Sequence, residues 1–149
     1  DFDMVDATNL DRQFYFEDQV GMKKTEALKT NLLRINPRLN LQMINVKLEP
    51  ANIMEIFRDC DVVVECLDRA EAKSMLVSGL LPSAKLIVSA SGLGGYGSSD
   101  DIKVRRIKKN LILIGDLASD IAEAPALAPR VNIAAAKQAD AVLEFIAGK

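Results

Sequence analysis

The chain has 149 residues, 49% of them hydrophobic and 27% charged, with a formal net charge of -2. That balance suits one soluble globular domain, excludes a disordered chain, and gives no electrostatic case for a nucleic-acid partner. The complete lack of histidine excludes histidine general bases, Ser-His-Asp triads and histidine metal sites, and no apolar run reaches the ~18 residues of a membrane-spanning helix.

The opening, "DFDMVDATNL", is acidic and has no signal-peptide pattern, which favours the cytoplasm. Residues 21–36, "GMKKTEALKTNLLRIN", place Ala27, Leu28, Leu32 and Ile35 on one helical face, and Pro37 closes the segment. "LQMINV" (41–46) alternates as a strand does. "EPANIMEIFRD" suits a short helix with Pro50 near its start. "DVVVECLD" (61–68) opens with the continuous apolar run of a buried parallel strand. "RAEAKSMLVSGLL" suits a helix, and "KLIVSAS" and "LILIGD" (111–116) two further strands. The last segment, "ALAPRVNIAAAKQADAVLEFIAGK", predicts a C-terminal helix with Pro129 near its start and Gly148 at its end. Alternating strands and helices predict an α/β fold, a Rossmann-like, mostly parallel sheet with helices on both faces. Ligands of such sheets bind beyond the carboxyl ends of the strands.

Cys60 and Cys66 are separated by five residues and flank an apolar run. One chain with two cysteines and no histidine cannot supply a four-ligand zinc site, so reduced packing residues are expected and no zinc. Chemistry must come from carboxylates, lysine, arginine and backbone amides. Three places at strand ends offer them: Asp1 and Asp3 with the following "TNLDRQ", Lys23 and Lys24 in the first turn of a helix, and Asp68 directly after "VVVECL". Cations and helix amides hold phosphates, and a carboxylate holds magnesium shared with phosphate oxygens. Together these residue types suit ATP with Mg2+. Taken singly, each also has a plain structural role: a solvated terminus, a surface ion pair, lysines facing water, a helix cap.

Their order resembles the ThiF/MoeB family of adenylating enzymes, related to ubiquitin-activating enzyme. The family pattern runs D-x-D-x-V, S-N-L-x-R-Q, G-x-x-K and a buried strand ending in a magnesium-binding Asp. Here it reads Asp1, Asp3 and Val5; "TNLDRQ" (8–13); Gly21 to Lys24; and "DVVVECLD" ending at Asp68. "RINP" (34–37) and the closing "LAPRVNIAAAKQADAVLEFIAG" fit the same frame, so the resemblance covers nearly the whole chain as one nucleotide-binding domain, 1–149. Within the family, "GYG…IKVRRI" followed by "LILIGD" looks like the stand-alone ThiF proteins of thiamine biosynthesis. The resemblance implies that Asp1 binds the ATP ribose and that Asn9, Arg12 and Gln13 lie against the nucleotide, with Arg12 on the phosphates. It implies that Lys24 offsets charge at the α-phosphate and that Asp68 positions Mg2+. The implied reaction is adenylation of the C-terminal glycine of a small ubiquitin-like sulfur carrier ending in Gly-Gly. It needs positioning and electrostatics more than a strong base. A homodimer, no membrane and no nucleic acid are also implied.

The family carries a strand, a G-x-G-G-x-G loop and a helix ahead of its Asp-x-Asp strand. The chain therefore reads as truncated before Asp1 by a unit on the order of 30 residues. Such a fragment is expected to be weak or inactive alone. Arg69 stands where the family commonly has Asn, and paired C-x-x-C motifs and a downstream catalytic cysteine are missing, which argues against a full sulfur-transfer cycle.

"SGLGGYGSSDD" offers a rival. Gly92, Gly94 and Gly97 fit G-x-G-x-x-G after a strand, and Asp116 falls nineteen residues after Gly97, near the ~20 expected of a ribose-binding acid. An NAD-dependent oxidoreductase would need 98–110 to be a helix, yet Ile102, Val104 and Ile107 make only a thin apolar stripe. A non-catalytic binding protein on the same fold is the other alternative. In the family frame, Gly92, Gly94, Gly95 and Gly97 instead form a wall near the carrier's tail or the adenylate, where glycine permits close approach of backbone.

Overall fold

A computed structural model describes residues 1–148; Lys149 lies outside the described residues. The chain divides into two compact units, Asp1–Leu48 and Glu49–Lys149.

In the first unit, residues 3–5 run antiparallel to residues 21–24. Met4 bridges Lys23, the Val5 amide donates to the Met22 carbonyl at 2.8 Å, and the Lys24 amide donates to the Asp3 carbonyl at 2.9 Å. Helix α1 spans Lys24–Ile35. It ends at Asn36 because the residue before a proline, here Pro37, disfavours helical backbone. Of the face expected from the sequence Ala27 is buried, but Leu28 is 39% exposed and Ile35 81% exposed, and the other buried residue is Asn31. Gln19 accounts for the buried Asn31. Its side-chain amide donates to Asn31 Oδ1 at 2.8 Å, and Asn31 donates back to Gln19 Oε1 at 3.0 Å and to the Phe14 carbonyl at 2.9 Å. Two buried amides that satisfy each other can replace an apolar contact, whereas either one alone would be costly to bury.

Residues 41–46 do not form the expected strand. A strand needs a ladder partner for its amides and carbonyls. Among the described residues this stretch has no ladder partner, and the Ile44 carbonyl accepts instead from the Asp1 ammonium at 3.3 Å.

The second unit carries the sheet. Strands β1 (Val62–Val64), β2 (Leu86–Ala90), β3 (Lys103–Lys108) and β4 (Leu111–Gly115) lie in the order β1-β2-β4-β3. The β1, β2 and β4 strands are parallel, and β3 is antiparallel to β4. A short helix α2 (Ile53–Ile56), α3 (Ala70–Leu80) and α4 (Ala128–Ala147) complete it. Side-chain alternation along the strands assigns the layers. Leu86, Val88, Ile112 and Ile114 cluster with Ala134 and Ala141 of α4. Ile87 and Ser89 point to the opposite face, where Ser89 and Lys73 of α3 both bind Glu65. Helices therefore cover both faces of a mostly parallel, Rossmann-like sheet, as the sequence predicts. Each fully buried aliphatic chain in these layers contributes about 1.5–3 kcal/mol. The β1 strand is less buried than its run of valines suggests, because it is an edge: Val64 is 42% exposed. Pro129 sits in the first turn of α4 and Gly148 caps its end, also as predicted. No helix among the described residues is long and apolar enough to cross a membrane.

Candidate functional site

In the first unit, Lys24 opens α1, and its ammonium reaches Asp3 Oδ2 at 3.1 Å. The lysine side chain is 13% exposed and that of Asp3 51% exposed. The cation is thus largely shielded yet paired with a carboxylate that water can solvate, an arrangement from which an incoming phosphate could take the lysine. Arg12 Nη1 donates to the Thr8 carbonyl at 2.9 Å and to Asp11 at 2.7 Å, at 30% exposure. Only one guanidinium nitrogen is used in these bonds, and its other donors remain for a ligand.

The turn that carries Arg12 is built by capping. Asp6 accepts from the Thr8 amide and hydroxyl, while Asn9 Oδ1 accepts the Asp6 amide at 3.0 Å. The Thr8 hydroxyl and amide also hold the Asp6 carboxyl below its usual range. Asn9 is buried, and its oxygen is committed to that cap, so its part in the turn is structural whatever else its amide touches. The Gln13 amide donates to the Asn9 carbonyl at 2.8 Å, which closes the turn. Asp1 is exposed, and its carboxylate accepts the Asp3 amide at 2.8 Å.

In the second unit, Asp68 lies in the bend between β1 and α3, beyond the carboxyl end of a parallel strand. It is exposed and makes no hydrogen bond or ion pair among the described residues. It does not cap α3: Arg69 holds the N-cap position, without a side-chain bond. The carboxylate that builds this corner is one the sequence reading passed over. Glu65, fully buried at the end of β1, accepts Lys73 on both oxygens, Ser89 Oγ at 2.6 Å and the Leu67 amide. Lys73 also donates to the Ala90 carbonyl at 2.9 Å. The only sequence signal was a lone acid inside an apolar run. No cluster of three metal-ligating side chains occurs among the described residues. Mg2+ commonly takes one or two carboxylates and completes its shell with water and substrate phosphates, so a lone, unengaged Asp68 fits that mode of binding.

The glycine loop leaves the carboxyl end of β2, beside β1 and the bend that holds Asp68. Residues 103–108 that follow it are a strand, and Asp116 is spent on Arg130 and on the Ala118 and Ser119 amides. The NAD reading fails on both counts, since it requires a helix after the glycines and a ribose-binding acid. The two cysteines are free, and neither belongs to the apolar core. The Cys66 thiol lies 3.9 Å from Gln138 Oε1. Burial first, and then the Glu65 charge, push its pKa up, with Lys73 opposing.

The model of the ThiF family matches residues 1–149. The adenylyltransferase and sulfurtransferase UBA4 of Candida glabrata is 39% identical over 98 residues, covering 65% of this chain and 23% of that protein. The molybdopterin-synthase adenylyltransferase of Escherichia coli is 28% identical, covering 99% of this chain and 61% of that protein. Among solved structures, the E. coli tRNA N6-threonylcarbamoyladenosine dehydratase TcdA in complex with AMP superposes with a TM-score of 0.84 at 18% identity. That match covers 99% of this chain and 74% of the other; the ATP complex gives 0.82. At such identity the likeness is one of fold. The chain spans less than two thirds of the length of either curated relative.

Proposed function

Since the chain belongs to the ThiF family, we propose that it is the nucleotide-handling part of an ATP-dependent adenylyltransferase. The reading is that the protein activates the C-terminal glycine of a ubiquitin-like sulfur carrier. The glycine carboxylate attacks the α-phosphate of ATP, pyrophosphate leaves, and an acyl-adenylate remains. The observation that carries the proposal is Asp68, an unengaged carboxylate at the carboxyl end of a parallel strand, next to a neighbour, Glu65, that is wholly consumed by structure.

In this reading Arg12 and Lys24 bind phosphate oxygens and offset charge that grows at the α-phosphate. Asp1 serves the ribose, and Asn9 and Gln13 the nucleotide. Asp68 holds Mg2+, which when bound neutralises phosphate charge. Gly92, Gly94, Gly95 and Gly97 line the path of the carrier's tail. Both sequence relatives are named adenylyltransferases, which supports the class of reaction. A homodimer, a cytoplasmic location and a thiamine pathway belong to the same proposal.

The test is carrier-dependent exchange of labelled pyrophosphate into ATP by the full-length protein. Exchange that requires a carrier ending in Gly-Gly, and that is lost in Arg12→Ala, is the expected result. No exchange with carrier present would overturn the reading in favour of a binding protein on the same fold.

A further inference from the structure

The loop at 91–98 is held far more firmly than a surface turn requires. Arg130, in the first turn of α4 and 3% exposed, donates to the Gly97 carbonyl at 2.7 Å and to the Gly92 carbonyl at 3.5 Å. The same guanidinium pairs with Asp116, which also accepts the Ala118 and Ser119 amides. On the other side, Gly94 and Gly95 bridge Ala126, and the Gly95 amide donates to the Pro125 carbonyl at 2.9 Å. Burying an arginine is costly unless its partners are in place, and its Nε has none among the described residues. One buried cation thus ties the loop at 92–97 to Asp116, and backbone pairing ties the same loop to residues 125–126.

What this clamp presents is Tyr96. It stands between two glycines at φ 75° and 74° and is 85% exposed. An aromatic on an immobilised backbone loses little entropy when it meets a partner, which is how binding anchors are built. The loop leaves the carboxyl end of β2 beside the bend of Asp68. A chain that brings its terminal carboxylate towards that bend runs past this loop. Resting on the function proposed above, we propose that Tyr96 is a contact residue for the extended, glycine-ended tail of the carrier. Arg130 and Asp116 are the positioning residues that hold it there.

The experiment uses full-length protein and a purified ubiquitin-like sulfur carrier, intact or lacking its last two glycines. Carrier Kd is measured by calorimetry, with ATP–pyrophosphate exchange and amide hydrogen exchange read alongside. Tyr96→Ala is expected to weaken intact carrier at least tenfold, with thermal midpoint and KM for ATP unchanged and with Tyr96→Phe restoring most of the affinity. Arg130→Met is expected to weaken carrier similarly while hydrogen exchange at 92–97 rises more than tenfold. Unchanged carrier affinity in Tyr96→Ala, or equal losses for intact and shortened carrier, overturns the inference. Binding without any nucleotide exchange would sink the adenylation reading alone, and the Tyr96 comparison would still decide this one.

Discussion

Lys73 donates to both carboxylate oxygens of Glu65, at 3.0 and 3.1 Å, and to the Ala90 carbonyl at 2.9 Å. One side chain of α3 thereby ties the ends of β1 and β2 together on the face away from α4. Removing one partner of such a pair leaves a charge in a dry site, at about 3–5 kcal/mol, whereas removing both costs far less. Lys73→Met is therefore expected to lower unfolding free energy in urea by about that amount. The double variant with Glu65→Gln should recover a large part of it. Equal stability of wild type and Lys73→Met would show that water compensates Glu65.

Asp68 sits a few residues further on, and the opposite behaviour is expected of it. An exposed carboxylate with no intramolecular partner among the described residues carries little stability, so Asp68→Asn should stay within about 0.5 kcal/mol of wild type. Its exchange activity should fall steeply and respond poorly to added Mg2+. A variant with normal exchange would remove Asp68 from the proposed chemistry.

The sheet was largely legible in the sequence because buried parallel strands write themselves as continuous apolar runs. "LIVSA" and "LILIG" are strands as expected, and the thin apolar stripe of Ile102, Val104 and Ile107 already argued against a helix at 103–108. Polar burial was not legible. Nothing in the spacing of Gln19 and Asn31, or of Glu65 and Lys73, distinguishes partners in a buried bond from solvated side chains, since those contacts depend on tertiary placement. The strand expected at 41–46 failed for the complementary reason: local pattern announces an extended segment but not a neighbour to pair with it. Asp1, Arg12, Lys24 and Asp68 were legible only through their joint order, and their functional roles rest on that resemblance.

The glycines at 92–97 separate two kinds of constraint. A Cβ on Gly94 would meet the Asp120 and Ala124 carbonyl oxygens at 2.7 and 2.8 Å, both immobile backbone, although its φ is ordinary. A Cβ on Gly97 would meet nothing, and the obstacle there is a φ of 74°. Gly97→Ala should cost about 1–2 kcal/mol, the price of left-handed backbone, and Gly94→Ala more, because overpacking adds backbone shifts. Urea midpoints measured side by side check the order; the reverse order would mean that the 120–124 turn yields.

Cys66 is the only cysteine near the strand-end corner, and it is poorly suited to be a nucleophile. Thiolate is the reactive form, and burial together with the Glu65 charge disfavours it. Alkylation of Cys66 at neutral pH should be slower than that of a free thiol and should accelerate only above the ordinary thiol range. Lys73→Met, which removes the opposing charge, should slow it further where the variant folds. Rapid labelling of Cys66 at pH 7 would contradict the placement of its sulfur.

The Asp116–Arg130 pair gives stability a pH signature of definite sign. Burial raises the Asp116 pKa, but the Ser119 and Ala118 amides, the Ser119 hydroxyl and the Arg130 charge outweigh it, so the folded value lies below the ordinary 3.8. A depressed carboxylate contributes stability that is fully present above its unfolded pKa and is lost as pH falls through the folded one. The stability gap between wild type and Asp116→Asn should therefore be flat from neutrality down to about pH 5, and should close as pH drops below 3.8. Salt should change the gap little, because the guanidinium is only 4% exposed and buried pairs are weakly screened. Chemical denaturation of both proteins across that range reads the gap directly, and a gap that widened on acidification would place the Asp116 proton on the folded state.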